Sequence, residues 1–242
     1  MGKKDEEMDG MRLKAVLFDM DGVLFDSMKN HTLAWYRTIT GEGVSCERDE
    51  FYLYEGATGQ WTINRIFERT YGRKATDEEI GRIYEEKNRQ FNELSPVEVM
   101  PGAREVLEKV KNKGLLPVLV TGSGQRSLLE RLEREFPGVF STERVVTAFD
   151  VQHGKPHSEP YLKGLEKASV KAEEAVVVEN APLGIRAAVA AGIFTVAVNT
   201  GPIPSQKLRE AGAALVLPGM SALADSFDDL VLPEYGVWNL NR

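Results

Sequence analysis

Short apolar runs that recur along the chain constrain its fold more than any other feature. Each run spans four to six residues, and longer polar or mixed segments separate the runs. They cover residues 14–18, 115–120, 144–147, 175–178, 194–198 and 213–217. Nearly continuous apolar runs of this length are typical of strands that are buried on both faces, as in a parallel sheet. The sequence therefore predicts a mostly parallel sheet at the centre of the protein.

Helix signals lie between these runs. Pro101 opens a segment with apolar residues on one face, residues 125–135 repeat that spacing, and Pro182 opens a third segment. Gly114 and Gly192 stop the first and third of these segments. The alternation of strand and helix predicts a doubly wound α/β core of Rossmann-like type with right-handed crossovers.

Residues 28–95 break this alternation. They contain no strand-like run, their apolar residues recur at helical spacing, and Thr76 with Glu79 forms a capping-box pattern. We therefore expect an all-helical domain inserted into the α/β core. The predicted divisions are a disordered leader (1–13), the α/β core (14–27 and 96–232), the helical insert (28–95) and a C-terminal tail (233–242).

The composition narrows the range of partners and locations. Lys and Arg total 30 against 37 Asp and Glu, a net charge of -7, so we expect no nucleic-acid partner. The apolar runs are far shorter than the ~20 residues of a membrane helix, and the N-terminus lacks an apolar secretion signal. A single cysteine, Cys46, cannot form an internal disulfide. We expect a cytoplasmic monomer that binds neither nucleic acid nor membrane.

Polar clusters follow four of the predicted strands. They are Asp19-Met20-Asp21-Gly22, Thr121-Gly122-Ser123, Lys155 in the loop QHGKPHSEP, and Glu179-Asn180. An isolated Asp-x-Asp-Gly pattern is also typical of a simple turn. Four clusters at the carboxyl ends of strands are a stronger signal, because ligands of open α/β sheets bind at that edge. His153 and His157, which flank Lys155, are interpreted as solvated loop residues.

The residue types in these clusters suit phosphoryl transfer. Asp19 can attack phosphorus and form an aspartyl-phosphate, which divides hydrolysis into two easier steps. A carboxylate attacks an anion poorly unless a cation screens the repulsion. We expect Mg²⁺ to do so, held by Asp19, the backbone carbonyl of Asp21, Glu179 and Asn180.

The remaining polar groups have expected roles around the same reaction. Lys155 adds a positive charge, and the Thr121 hydroxyl with nearby backbone N–H groups can hold phosphoryl oxygens. Asp21 is the candidate general acid and base, a role for which we expect a raised pKa.

These clusters together resemble the four motifs of the haloacid dehalogenase superfamily of phosphohydrolases. The matching segments are FDMDGVLFDS, VTGSG, GKP and VENAPLGIRAA, and the resemblance covers about residues 14–218. It implies that the helical insert is a cap domain and that the activity is phosphatase action on a small phosphorylated metabolite, specifically a sugar phosphate. Within the superfamily, the chain resembles the β-phosphoglucomutase and sugar-phosphatase branch. The positions matching that branch's hinge and cap are Ser27, His31, Trp35, Lys87 and Asn88.

The resemblance also implies a set of substrate-binding and phosphate-binding residues. These are Gly122, Ser123, His31, Lys87 and, in the cap loop YEGATGQWT, Gly56. Two departures affect the expected activity. Asn180 stands where the family commonly has Asp, which predicts weaker Mg²⁺ binding unless the amide oxygen serves equally well. Glu55 and Gly59 stand where β-phosphoglucomutases typically carry Lys and Arg, which favours a phosphatase over a mutase.

Four other activities remain open at this point. A β-phosphoglucomutase is the nearest alternative. A dehalogenase of the same fold would need no metal. A phospho-accepting receiver module is disfavoured because its Asp follows a later strand. A ligand-binding relic disabled by Asn180 would bind phosphate esters without turning them over.

Overall fold

Eight strands in the described residues build two sheets. They are β1 (Ala15–Phe18), β2 (Phe25–Asp26), β3 (Glu98–Val99), β4 (Leu116–Val120), β5 (Val145–Val146), β6 (Ala175–Glu179), β7 (Phe194–Val198) and β8 (Leu215–Leu217). This computed structural model describes residues 13–124 and 126–230. The predicted tail, and the predicted leader apart from residue 13, lie outside them. Six strands form a parallel sheet in the order β5–β4–β1–β6–β7–β8, which confirms the predicted doubly wound α/β core.

The central strands form because their side chains are apolar on both faces. Every residue of β1 and β6 is buried, and Val16 of β1 lies between Pro117 of β4 and Val176 of β6. The six predicted runs each contain one strand of this sheet. The antiparallel pair β2–β3 was not predicted, because two residues are too short to produce a periodic pattern.

Ten helices surround and extend the sheets in the described residues. They are α1 (Met28–Gly41), α2 (Glu50–Leu53), α3 (Gly59–Tyr71), α4 (Asp77–Asn92), α5 (Ala103–Asn112), α6 (Arg126–Glu135), α7 (Glu159–Ala168), α8 (Pro182–Ala190), α9 (Ser205–Glu210) and α10 (Met220–Leu230). Short 3₁₀ turns at Thr142–Arg144 and Ala172–Glu174 precede β5 and β6.

Apolar clusters cover both faces of the parallel sheet. One face packs against α5 and α10 through Val106 and Phe227, and the other packs against α7 and α8 through Tyr161 and Ala187. Burial on both faces is what the unbroken apolar strands require. The sheet is therefore rigid, and its carboxyl edge gives a fixed frame for side chains.

Helices α1 to α4 form a separate packed unit between β2 and β3. Most of their buried apolar residues make their own cluster, which includes Phe51, Ile63 and Ile83, whereas Ala34 and Phe91 join the cluster that covers one face of the parallel sheet. The predicted capping box is present at the start of α4, where Thr76 accepts from the backbone of Glu79 and the Glu79 carboxylate accepts from the backbone of Thr76. We call helices α1 to α4 and their loops the cap, and the rest of the described chain the core. Within the described part of the chain, no helix has the length and apolarity that a bilayer crossing needs.

Candidate active site

The four predicted polar clusters meet at the carboxyl edge of the parallel sheet. Asp19 follows β1, Thr121 follows β4, Glu179 ends β6, and Lys155 lies in the loop between β5 and α7. β1 lies between β4 and β6. The strands that follow along the chain are therefore added on one side of β1 up to β5 and on its other side from β6 onward. Such a switch point opens a crevice at the sheet edge, and it explains why residues distant in sequence converge here.

Lys155 joins two of the clusters directly. Its Nζ donates to Asp19 Oδ1 at 2.6 Å, to Glu179 Oε1 at 2.7 Å and to the Val120 carbonyl at 3.1 Å. The side chain is fully buried. Burial acts to lower the pKa of Lys155, but the charges of Asp19 and Glu179 outweigh it and raise that pKa. Lys155 is therefore a fixed positive charge beside Asp19.

For Asp19, burial outweighs the effect of the neighbouring positive charge. Burial is the largest effect and raises the pKa of Asp19 to about 7, against the lowering effect of Lys155 and with a further rise from Glu179 and Asp21. A carboxylate in this position is crowded by other acids and shielded from water. Its surroundings favour a bound cation or a bond that removes its charge.

Glu179 is saturated with hydrogen bonds. Its Oε1 accepts from Lys155 and from the Tyr161 hydroxyl at 2.9 Å, and its Oε2 accepts from the backbone N–H groups of Asn180 at 2.9 Å and Ala181 at 3.1 Å. Each oxygen thus accepts two hydrogen bonds, the number its lone pairs allow. In this structure Glu179 anchors Lys155, and neither of its oxygens has a lone pair left for a cation.

Asn180 has a free acceptor instead. Its Nδ2 donates to Glu55 Oε1 of the cap at 2.6 Å and contacts Thr200 Oγ1 at 3.5 Å, and its Oδ1 is buried without a hydrogen-bond partner. Thr200 in turn donates to the carbonyl of Gly22 at 2.6 Å. The contacts of Nδ2 with Glu55 and Thr200 fix the orientation of the Asn180 amide. The unpaired amide oxygen is therefore available to bind a cation.

Glu55 brings a further carboxylate from the cap to this edge. It is buried, and burial raises its pKa well above the ordinary value; the Asn180 hydrogen bond opposes that rise, and the nearby Asp19 and Glu179 charges add to it. The protonated form is therefore favoured where Glu55 meets the other acids.

Asp21 belongs to a second network that runs into the cap. Its Oδ1 accepts from Ser27 Oγ at 2.5 Å and lies 3.1 Å from His31 Nε2, and Lys87 Nζ lies 2.8 Å from His31 Nδ1. Burial, and then the charge of Lys87, lower the pKa of His31, so the ring is neutral near pH 7. Because a carboxylate only accepts and an ammonium only donates, the ring carries its proton on Nε2.

The expected raised pKa of Asp21 is wrong. Burial acts to raise it, but the hydrogen bonds from His31 and Ser27 and the charge of Lys87 outweigh burial and lower it. The sequence placed Asp21 in a closed site but did not reveal how many donors face it. Asp21 is ionised near neutral pH in this structure and is ready to accept a proton.

Lys87 is a buried cation that faces aromatic rings. Its Nζ lies 5.6 Å from the ring centre of Trp35 and 5.1 Å from that of Phe91. Burial lowers its pKa to about 7, against the raising effect of Asp21. Lys87 thus lies in the site, as predicted, and it is connected to Asp21 through His31.

A cleft lies between cap and core. Its lining includes the predicted residues Asp19, Asp21, His31, Gly56, Lys87, Thr121, Gly122 and Ser123. Lys155, Glu179 and Asn180 lie beneath it and reach it through Asp19 and Glu55. The cap loop lies directly on the core, since an added Cβ at Gly122 would collide with the backbone of Gly56.

Sequence reasoning missed three contributors. Thr200 follows β7 at the same sheet edge, so the signal that found the other clusters applied to it as well. In the sequence pattern Tyr161 occupies an apolar position of α7, and nothing in that pattern indicates that its hydroxyl bonds to Glu179. Glu55 was noted only as a departure from Lys, because nothing in the sequence shows that the cap loop reaches Asn180.

Comparison with known proteins agrees with this geometry. The haloacid dehalogenase-like hydrolase family matches residues 16–198. The phosphorylated carbohydrates phosphatase of Thermotoga maritima is 35% identical over 213 residues, which cover 85% of this chain and 95% of the relative. Hexitol phosphatase A of Escherichia coli is 30% identical and covers 85% of this chain and 91% of its own length.

A solved structure of a related protein has the same fold as this chain. A candidate β-phosphoglucomutase from Bacteroides vulgatus superposes with a TM-score of 0.87 and 49% identity, covering 93% of this chain and 91% of that one. The match over the motifs, the insert and the whole sheet leaves one conclusion. The chain belongs to the haloacid dehalogenase-like hydrolase family and is an enzyme of its phosphatase and phosphomutase group.

Proposed function

We propose that the protein is a Mg²⁺-dependent phosphatase that acts on a small phosphorylated metabolite through an aspartyl-phosphate on Asp19. The observation that carries the proposal is the position of Asp19. It is buried at the base of the cleft, it is bonded to Lys155 at 2.6 Å, and it faces Thr121 and Ser123. A nucleophile and a hydroxyl-bearing loop thus line one cleft, and a fixed cation lies directly beneath the nucleophile.

The reaction has two steps. A carboxylate oxygen of Asp19 forms a bond to phosphorus while the bond to the ester oxygen breaks, and the leaving oxygen takes a proton to depart as an alcohol. Water then attacks the aspartyl-phosphate, gives up a proton, and releases inorganic phosphate and the Asp19 carboxylate. Lys155 stays beside Asp19 through both steps and favours its negative charge.

Asp21 is suited to carry the proton in both steps. Ser27 and His31 hold its carboxylate in the cleft and lower its pKa. The ionised form, which takes the proton of the attacking water, is therefore the major form near pH 7. The protonated form, which serves the leaving alcohol, is the minor one, so formation of the aspartyl-phosphate is the step that acid assists.

The residues fit a hard divalent cation. Oxygen donors surround the site, and the buried Asn180 Oδ1 has no hydrogen-bond partner, as expected for an acceptor meant for an ion. Asp19, the carbonyl of Asp21 and Asn180 would hold Mg²⁺, and Glu179 supports the site by anchoring Lys155. When bound, Mg²⁺ neutralises charge on the phosphoryl oxygens.

Two cap positions favour hydrolysis over the mutase reaction. An added Cβ at Gly59 would collide with the Tyr84 ring, so a side chain there would require that ring to move. Glu55 is acidic and is bonded to Asn180. The cap therefore lacks, at these two positions, the bases with which a mutase would hold the second phosphate of a bisphosphate intermediate.

The names of two relatives support a sugar phosphate as substrate, since one is a phosphatase of phosphorylated carbohydrates and the other of hexitol phosphates. The test is a panel of hexose, pentose and hexitol phosphates, with p-nitrophenyl phosphate and inorganic pyrophosphate for comparison, assayed for released phosphate in Mg²⁺ and in EDTA.

We expect phosphate release that EDTA abolishes and that Asp19→Asn lacks. β-Glucose 1-phosphate with a trace of bisphosphate separates the two candidate reactions. Release of phosphate supports the phosphatase, whereas conversion to glucose 6-phosphate supports the mutase. Activity that persists in EDTA, or in Asp19→Asn, would overturn the proposal.

A further inference from the structure

The loop between β5 and α7 holds two exposed histidines on either side of Lys155. The rings of His153 and His157 lie with their centres 4.8 Å apart and their planes at 32°. Two imidazoles bound to one ion at about 2.0–2.1 Å have ring centres roughly 5 Å apart. The observed spacing is thus compatible with two rings on a single ion.

Glu159, the first residue of α7, completes the cluster. Its carboxylate accepts from the backbone N–H groups of Gln152 and His153, both at 2.9 Å, and lies 3.0 Å from His153 Nδ1. The His153 Nδ1 and the Glu159 oxygen therefore face each other, and a metal ion that displaces the proton between them would find a nitrogen and an oxygen ligand already side by side.

Both histidine rings face the start of α7. The backbone N–H of Glu159 donates to His157 Nδ1 at 3.1 Å, and an ion bound to this nitrogen would replace that hydrogen bond. One ligand atom from each of His153, His157 and Glu159 lies within 4.8 Å of the other two. Both histidines are solvent-exposed, so an ion has direct access to them.

We propose that His153, His157 and Glu159 form a binding site for a divalent transition-metal ion of the Zn²⁺ type, separate from the oxygen-lined catalytic site. Two imidazole nitrogens and one carboxylate are the donors that Zn²⁺, Ni²⁺ and Cu²⁺ prefer, whereas Mg²⁺ prefers oxygen alone. Bound metal would tie residues 153 and 157 together across Lys155. It would thereby fix the loop that carries the lysine bonded to Asp19.

The composition makes this proposal easy to test. The chain has three histidines and one cysteine, and the third histidine, His31, is buried beside Asp21. The experiment is calorimetric titration of the full-length, tag-free protein with Zn²⁺ in excess Mg²⁺, which occupies the oxygen-lined site. Absorption of bound Co²⁺ gives an independent reading of the ligand set.

We expect one Zn²⁺ per chain and at least tenfold weaker binding in His153→Ala and in His157→Ala. Gln152→Ala, a change in the same loop, and Asp19→Asn, a change in the catalytic site, should keep the wild-type affinity. Circular dichroism checks that each variant is folded. Zn²⁺ affinity within twofold of wild type in both histidine variants would overturn the proposal, and so would its loss in Asp19→Asn.

Discussion

The contact between Gly154 and the cap allows a sharp test of whether the cap closes during turnover as it does in this structure. Gly154 precedes Lys155, and a Cβ added there would lie 2.5 Å from Thr58 Cγ2 and 3.5 Å from Thr58 Cβ. Ordinary contacts between carbon atoms are about 3.5–4.0 Å. Gly154→Ala therefore requires either a retreat of the cap by roughly 1 Å or a rotation of the Thr58 side chain that disturbs its hydrogen bond from Trp61, and the methyl group of Thr58 is the main cause.

The cost follows from overpacking. Forcing a methyl group into a packed contact costs about 1–3 kcal/mol, which corresponds to a loss of roughly 5- to 150-fold in kcat/KM if the closed state is the active one. The φ of Gly154 is not in the left-handed region, so alanine adds no backbone strain. The cap can open to relieve the clash, so we expect little change in Tm.

A second change isolates the cause. Thr58→Ser removes the clashing methyl group and keeps the hydroxyl that accepts from the backbone of Trp61 at 3.2 Å. We expect Thr58→Ser alone to be nearly neutral and to restore kcat/KM in Gly154→Ala. Gly81→Ala, in a helix position with open space around it, controls for the added methyl group. A double variant as impaired as Gly154→Ala would refute the reasoning, as would full activity of Gly154→Ala.

Three further predictions concern buried charges. Burial lowers the pKa of Lys87 to about 7, whereas the pKa of an unfolded lysine is about 10.4. Between these two pH values the unfolded chain therefore holds one more proton than the folded chain. The free energy of unfolding should rise with pH in this range by up to about 1.4 kcal/mol per pH unit. Denaturant titrations of Lys87→Met should lack that slope, and an unchanged slope would contradict the assignment. Asn180→Asp adds a further acidic group to the buried cluster of Asp19, Glu55 and Glu179, whose charges already oppose one another, and should lower stability in EDTA by about 1–3 kcal/mol; Glu55→Gln in the same chain removes one of these acids and should restore it, and no recovery would count against the contact. Tyr161→Phe removes one of four hydrogen bonds to Glu179 and should cost about 1.5–3 kcal/mol, whereas Tyr71→Phe, at an exposed ring, should be neutral; equal effects would exclude a special role for the Tyr161 hydroxyl.

The architecture of the core was predictable because its cause is local. Runs such as residues 175–178 are apolar at every position, and this pattern fits a strand buried on both faces. Once those strands are parallel, their carboxyl ends must share an edge. The meeting of Asp19, Thr121, Lys155 and Glu179 followed from that rule without knowledge of any distance.

The contacts across the cleft were not predictable in the same way. The bond between Glu55 and Asn180 joins residues 125 positions apart and depends on how the cap lies on the core. The pKa of Asp21 depends on the same arrangement, because His31 and Lys87 come from α1 and α4. Sequence pattern gives burial, which acts to raise the pKa of a carboxyl group, but not the donors that reverse its effect.

The roles of individual side chains also depended on counting hydrogen bonds. Glu179 and Asn180 were both predicted as metal ligands. The four donors to Glu179 and the unpaired oxygen of Asn180 are the basis on which we propose Glu179 as an anchor and Asn180 as a ligand. No property of the two adjacent residues in the sequence separates those roles, because both are polar and both follow β6.

The central claim is that Asp19 becomes covalently phosphorylated, and the most direct measurement is to trap that species. Enzyme mixed with ³²P-labelled substrate in Mg²⁺ would be quenched in acid within the first turnover, digested and mapped by mass spectrometry. We predict label on the peptide that contains Asp19, none in Asp19→Asn, and release of the label by hydroxylamine, as expected of an acyl phosphate. Label on another residue, or turnover without any trapped label above that of Asp19→Asn, would contradict the account.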